Sequence, residues 1–411
     1  MSVPKLRFNE FSSDWELKKI SDFVKSLDAG VSVNSDDNVN EGPYSILKTS
    51  CVSNGFFNQK ERKAVTNTHE ISRLKEQLLN DSIIISRMNT PKLVGASAYV
   101  KIAPKKTYLP DRLWQVKLDS NKASMCWFSY WLNTERNHIK ICDLATGTSN
   151  SMKNITKTDL LALDIFLPGP KEQTKIADFL TAVDEKITQL TQKYELLNKY
   201  KKGVMQKIFS QELRFKNDDG SEFPEWDKKK IKELTEVVVG GTPSTSNPDF
   251  WTNGTIPWIS SGELNNGIIK KPIKFITQLA VKKSSAKVMP KDTTVLAMTG
   301  ATLGKVGFLD FETSGNQSVA GFLPNANFYS KFLFYLLLNG KNQILMLSGG
   351  GAQQGINKGN IECLEFNFPN CKEQTKIANF LTAIDDKITA TQSQLELVKQ
   401  YKQGLLQQMF V

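Results

Sequence analysis

Histidine is almost missing from this chain: His69 and His138 are the two in 411 residues, and they stand in unrelated surroundings. The five cysteines (Cys51, Cys126, Cys142, Cys363, Cys371) are odd in number and include no CxxC pair. Neither a metal site nor a disulfide framework is therefore expected. No serine or cysteine nucleophile is patterned around either histidine, so acid-base and covalent catalysis lack the residues they need. Long apolar runs are missing too. None reaches the roughly eighteen residues of a membrane span, and MSVPKLRFNEF lacks the apolar core of a signal peptide. The expectation is a cytoplasmic protein with no membrane partner.

What is present is a repeat. KEQTKIADFLTAVDEKITQL at residues 171–190 returns as KEQTKIANFLTAIDDKITAT at 372–391, identical at 15 of 20 positions and displaced by 201 residues. The likeness continues more faintly, with Glu195, Leu196, Tyr200, Lys201, Gly203, Gln206 and Phe209 matched by Glu396, Leu397, Tyr401, Lys402, Gly404, Gln407 and Phe410. Each copy also carries a heptad. Ile176, Leu180, Val183, Ile187, Leu190, Tyr194, Leu197, Lys201, Val204 and Ile208 step by four and three, and Ile377, Leu381, Ile384, Ile388, Thr391, Leu395, Val398, Lys402, Leu405 and Met409 do the same. That is the spacing of a coiled-coil seam, so two long helices should pair. The plainer alternative is a seam that packs only on its own half. A period of 201 residues is too long for a solenoid unit and implies two large copies of one module.

Composition fits two globular modules: 40% hydrophobic and 23% charged residues. The net charge of +11 favours an anionic partner such as nucleic acid. It is spread over both halves, which excludes a dedicated basic tail.

The module entrances look alike, Leu6, Arg7, Phe8 and Trp15 corresponding to Leu213, Arg214, Phe215 and Trp226. Turn-rich runs at 28–42 and 240–254 read as loops. YSILKTSCVSNGFF at 44–57 and IPWISSGELNNGII at 256–269 read as strand, loop and strand, and the stretches 81–95 and 292–307 read as hairpins. Apolar helices are expected at 124–133 and 329–339. A small polar loop follows each, then an apolar run ending at Pro168 or Pro369. Two short motifs mislead. GATLGKV at 300–306 has three residues, not four, between its glycines and Val306 where a phosphate loop needs Ser or Thr. NPDF at 247–250 is similar to the NPPF-like motif of amino-methyltransferases, but it has Asp249 for the second proline and reads as a turn.

PGPKEQTKIA at 168–177, FPNCKEQTKIA at 368–378 and GGGAQQGIN at 349–357 carry a family resemblance that spans essentially the whole chain. The layout resembles the specificity subunit of a type I restriction-modification system. In the first half TSNSMKNIT takes the place of the Gln-containing loop. The resemblance implies an α+β fold class, with two globular α+β target-recognition domains at 1–170 and 211–371 separated by a pair of long antiparallel helices, a coiled coil, at 171–210 and 372–411. It implies a non-catalytic subunit that binds double-stranded DNA and docks two methyltransferase subunits, with restriction subunits in the full complex. S-adenosylmethionine, ATP and Mg would belong to those partners, and this chain would bind no cofactor. A helix over 171–206 spans roughly 54 Å, more than the roughly 34 Å of one B-DNA turn, so the target is expected to be two base blocks around an unread spacer.

Polar loop residues are the candidate base and phosphate contacts. In the first module they are Lys48, Thr49, Arg87, Asn89, Ser149 and Asn150; in the second, Thr242, Ser244, Ser260, Ser261, Thr299, Lys305, Gln353 and Gln354. Arg87 suits guanine, and Gln353 or Gln354 adenine. For any one of them the alternative is an ordinary loop residue. At the level of the whole chain, the rival reading is a bivalent protein-binding scaffold with two related modules on a coiled coil.

Overall fold

Contacts divide the chain into two units, residues 1–191 with 393–411 and residues 192–392. The computed structural model describes residues 3–36, 42–53, 55–147, 152–269, 272, 274–348 and 355–411.

The first unit carries β1 (Glu16–Lys19), β2 (Val24–Ala29), β3 (Tyr44–Leu47), β4 (Arg62–Val65), β5 (Ser82–Ser86), β6 (Ser97–Val100), β7 (Leu113–Leu118) and β8 (Asp164–Leu167). Its largest sheet runs β2-β7-β5-β6, antiparallel throughout. The unbroken apolar run of β5 follows from burial on both faces. Ile83 and Ile85 enter a core with Trp114, Trp127 and Phe128, while Ile84 faces a second core with Leu47, Ala98 and Leu113. β3 and β4 pair antiparallel, with Thr107–Tyr108 added parallel to β3. The helix α1 (Met125–Leu132) starts at Ser124, whose hydroxyl accepts from the Trp127 amide at 3.3 Å. Then β8 pairs with β1 and leads into the long helix α2 (Pro170–Phe209), whose residues up to 191 belong to this unit.

The second unit repeats the plan with β9 (Asp227–Lys230), β10 (Val237–Val239), β11 (Ile256–Ile259), β12 (Gly267–Ile269), β13 (Thr294–Ala297), β14 (Val306–Leu309), β15 (Thr313–Gly315), β16 (Val319–Phe322) and β17 (Glu365–Phe368). Its main sheet runs β10-β16-β13-β14-β12, and the first four strands follow the antiparallel pattern of β2-β7-β5-β6. β12 lies parallel to β14; at that place in the first unit, the described residues show a parallel bridge of Gly55 with Ala98. The helix α3 (Ser330–Asn339) matches α1. β9 pairs with β17 just before the second long helix, α4 (Cys371–Gln408). GATLGKV is the loop of the β13–β14 hairpin, with no helix after it, so it has none of the architecture of a phosphate loop. NPDF is a turn in which the Asn247 side chain accepts from the Asp249 amide at 3.0 Å.

Each unit contains an antiparallel piece of helix pair. In the first, Ile176, Leu180 and Val183 of α2 share a core with Leu405, Met409 and Phe410, with Ile187 and Val398 at its edge. In the second, Ile377, Leu381, Ile384 and Ile388 of α4 share a core with Val204, Met205 and Ile208. Leu190 and Leu395 are buried, whereas Ile187 is half-buried. Among the described residues, no helix is long and apolar enough to cross a membrane.

Candidate nucleic-acid interface

The repeated Glu-Gln pair at the start of each long helix is buried, and its work is internal. Glu172 takes a bidentate ion pair from Arg7, Nε to Oε1 at 2.7 Å and Nη2 to Oε2 at 2.8 Å. Arg214 grips Glu373 in the same way at 3.2 and 2.8 Å, and Trp226 Nε1 donates to Glu373 at 3.1 Å. The Gln173 carbonyl accepts the Ser124 amide ahead of α1 at 2.7 Å, and its NH2 donates to Pro168 O at 2.8 Å. Gln374 does likewise with the Tyr329 amide and Pro369 O, both at 2.8 Å. The motif thus ties module entrance, apolar helix and long helix together.

About three helix turns further on, Tyr130 donates to Asp184 at 2.8 Å and Tyr335 to Asp385 at 2.7 Å. Burial, and then the neighbouring carboxylate, pushes each phenol well above its ordinary range, so both hydroxyls are neutral donors.

The loops of the first unit gather part of the predicted set. Lys48 and Thr49 leave the end of β3 and line a hollow with Ser32, Lys63 and Pro110. Arg87 donates from Nε to Asp111 O at 2.8 Å, and Asp111 accepts from the Ser32 hydroxyl, which links Arg87 to the same hollow. The guanidinium lies 6.0 Å from the Trp114 ring centroid. Asn89 is turned to local use, donating to Ser86 Oγ at 3.1 Å and accepting from the Thr90 amide at 2.8 Å. Ser149 and Asn150 lie outside the described residues.

In the second unit three separate segments meet around residues 316–318, the turn between β15 and β16. The Gly241 amide bonds Gly315 O at 2.8 Å, Asn316 N bonds Ile259 O at 2.9 Å, and Met298 N bonds Ser318 O at 2.8 Å. Side chains follow: Thr242 donates to Gln317 Oε1 at 2.6 Å, and Thr299 to Ser318 Oγ at 2.7 Å. The Gly-Gly pair before Thr242 makes this approach possible, since a Cβ on Gly240 would fall 2.2 Å from Gly315 O and one on Gly241 2.4 Å from Ser285 O. Ser260 caps a short turn by donating to Glu263 at 2.7 Å, with Ser261 half-buried beside it. Ser244 bonds Ser246 at 2.8 Å away from the turn's own contacts, and Lys305 is half-buried in the β13–β14 loop. Gln353 and Gln354 lie outside the described residues.

Gln317 is the residue that sequence reasoning missed. Its run, TSGNQSV, carries a Gly-Asn turn signal between apolar strands, but the first module has TYLPDRL there, with little likeness to mark the position. Backbone hydrogen bonds establish the correspondence instead. Arg87 N to Arg112 O repeats as Met298 N to Ser318 O, and Ile155 N to Arg87 O as Ile356 N to Met298 O. Arg87 therefore stands where the second unit has Met298, and Asp111 where it has Gln317.

All five cysteines are free thiols, and burial pushes Cys51 up to about 12. His138 Nε2 lies 3.5 Å from Cys142 Sγ, but among the described residues no group of three potential ligands is assembled.

The family model for the type I restriction modification DNA specificity domain matches residues 12–199 and 224–400. The putative type I restriction enzyme MjaX specificity subunit of Methanocaldococcus jannaschii is 25% identical over 413 residues, covering 98% of this chain and 94% of that protein. The MjaVIII specificity subunit of the same organism is 26% identical over 410 residues, covering 96% of this chain and 91% of that protein. Among solved structures, the type I restriction-modification S subunit of M. genitalium superposes with a TM-score of 0.64 at 18% identity, covering 100% of this chain and 99% of that one.

Proposed function

Because the chain belongs to the type I restriction modification DNA specificity family, we propose that it reads a bipartite, interrupted site on double-stranded DNA, one half-site per unit, and carries methyltransferase subunits on its long helices. The observation that supports this most is duplication with substitution. The two units keep the same internal ties, Arg7–Glu172 and Arg214–Glu373, yet put different side chains at equivalent loop positions, Arg87 against Met298 and Asp111 against Gln317. A shared frame with different loops is what reading two different half-sites requires.

The docking surface we assign lies on the later turns of each helix. Leu196 and Tyr200 are 65% and 54% exposed, and their counterparts Leu397 and Tyr401 are 64% and 55% exposed. Apolar pairs at i and i+4 form one stripe of a helix face, and a stripe kept in both copies but left open to solvent fits an apolar helix of a methyltransferase partner. S-adenosylmethionine chemistry on adenine would then belong to that partner, as would ATP and Mg to a restriction subunit joining the complex.

The test is to express the chain with its methyltransferase and sequence the methylated genomic DNA. The expected result is one motif of two unlike blocks around a fixed gap. Binding should weaken steeply with salt, because Lys and Arg on phosphates release counterions. Salt-independent capture of a protein, with no methylated motif, would support the scaffold reading instead. Leu196→Asp with Leu397→Asp should abolish co-purification of the methyltransferase without changing the melting temperature.

A further inference from the structure

We propose that Gln317 reads an adenine in the half-site recognised by the second unit, with Thr242 as the residue that orients it. The inference rests on the DNA-recognition reading and names one residue that sets its specificity.

A base reader has to be exposed, rigidly mounted and equipped with the right pair of polar atoms. Gln317 is exposed at the middle of the 316–318 turn. Its mounting is rigid: Val319 N bonds Asn316 O at 3.0 Å, Gly240 N bonds Val319 O at 3.0 Å, and Ser318 N bonds Asn316 Oδ1 at 3.1 Å, in addition to the three cross-segment bonds that hold residues 315, 316 and 318.

Its chemistry points to adenine. The Thr242 hydroxyl uses one lone pair of Oε1, and Nε2 has no partner among the described residues. That leaves the amide one acceptor site and its NH2 donors to offer outward. Adenine presents an N6 donor beside the N7 acceptor in the major groove, which this pattern matches with two bonds. Guanine presents two acceptors and is left with one good bond. The bond to Thr242 also holds the amide in place, so the reader is positioned before DNA arrives. In the first unit the same backbone position holds Asp111, engaged by Ser32 and by Arg87, so the two units present unlike chemistry from one place in the fold.

The experiment uses the full chain with its methyltransferase and reads the methylated motif genome-wide for wild type, Gln317→Ala and Thr242→Val. Wild type defines the two blocks, and failure to find a bipartite motif there would count against the parent reading, not against Gln317. Given the motif, Gln317→Ala is expected to lose discrimination at one A·T position of one block by roughly tenfold to a hundredfold, leaving the other block and the melting temperature unchanged. Thr242→Val should relax the same position by a smaller factor. Undiminished stringency in Gln317→Ala, a uniform loss over both blocks, or relaxation at a G·C position would each overturn the assignment.

Discussion

Lys402 sets its ammonium 2.6 Å from the Asp184 carboxylate and 5.6 Å from the ring centroid of Tyr130, whose hydroxyl bonds the same Asp184. Lys201 repeats this with Asp385 at 2.6 Å and the Tyr335 ring at 5.3 Å. Lys201 is the single seam position of the first helix that is not apolar, and the structure accounts for it. Polar layers in an otherwise apolar seam disfavour slipped registers, because any slip would leave an ammonium among aliphatic side chains.

The layer can be tested by a double-mutant cycle. Lys201→Ala is expected to destabilise the chain by about 1–2 kcal/mol, less than a fully buried pair because water still reaches both groups. Adding Asp385→Ala should then cost only what the lost Tyr335 hydrogen bond costs, less than Asp385→Ala costs alone, giving a coupling above about 0.5 kcal/mol in chemical denaturation. Strict additivity of the two substitutions would show that the pair contributes nothing.

The seam itself is graded in depth. Leu180 is fully enclosed, while Ile187 sits at the edge of the same core. Leu180→Ala should therefore cost about 2–5 kcal/mol, and Leu180→Lys should prevent the helix pair from forming, whereas Ile187→Lys should be tolerated by a lysine stem that reaches out to water. Thermal melting followed by circular dichroism ranks them, and equal losses for Leu180→Lys and Ile187→Lys would contradict the graded seam.

Much of this was legible in the sequence. The heptads gave the faces of both long helices, and their observed bounds, Pro170–Phe209 and Cys371–Gln408, differ from the repeat limits by a few residues at most. Periodicity names a face but not a depth, so Ile187 looked no different from Leu180. The Glu-Gln pair stood out as a motif, but its partners, Arg7 and the Ser124 amide, are 165 and 49 residues distant in sequence, and only the fold brings them within reach. The loops are the hardest to read, since their side chains differ between the modules. The hydrogen bond from Thr242 to Gln317 spans 75 residues, and its counterpart from Ser32 to Asp111 spans 79, so neither pair is visible from neighbouring sequence.

Exchange of the second module should alter one block of the target. Residues 211–371 contain the 316–318 turn and the loops around it, so replacing them with the equivalent segment of another family member should change one block of the methylated motif and preserve the other. The donor has to supply the Arg214 guanidinium for Glu373 and a backbone amide for Gln374, because those buried groups would otherwise lose their partners at about 1–3 kcal/mol each. Motif sequencing of the hybrid checks the outcome, and changes in both blocks would refute modular reading.

The first helix also holds everything needed to pair with a copy of itself. In the first unit, Asp184 meets Lys402, and Leu180 and Val183 share a core with Leu405, Met409 and Phe410. The repeat places Lys201, Val204, Ile208 and Phe209 at the positions that match Lys402, Leu405, Met409 and Phe410. Residues 1–210 alone thus contain both halves of the contact, Asp184 with its apolar neighbours and Lys201 with its own. An antiparallel pair of such fragments would form the contact twice about a twofold axis, which is the condition for a closed dimer. Light scattering of the fragment should report a dimer, and Lys201→Asp should convert it to monomer, while Lys201→Asp mixed with Asp184→Lys should restore association. With the methyltransferase present, the dimer is expected to methylate a palindromic interrupted site made from the first block and its inverted repeat. A monodisperse monomer of unaltered melting temperature would mean that each helix packs on its own module alone.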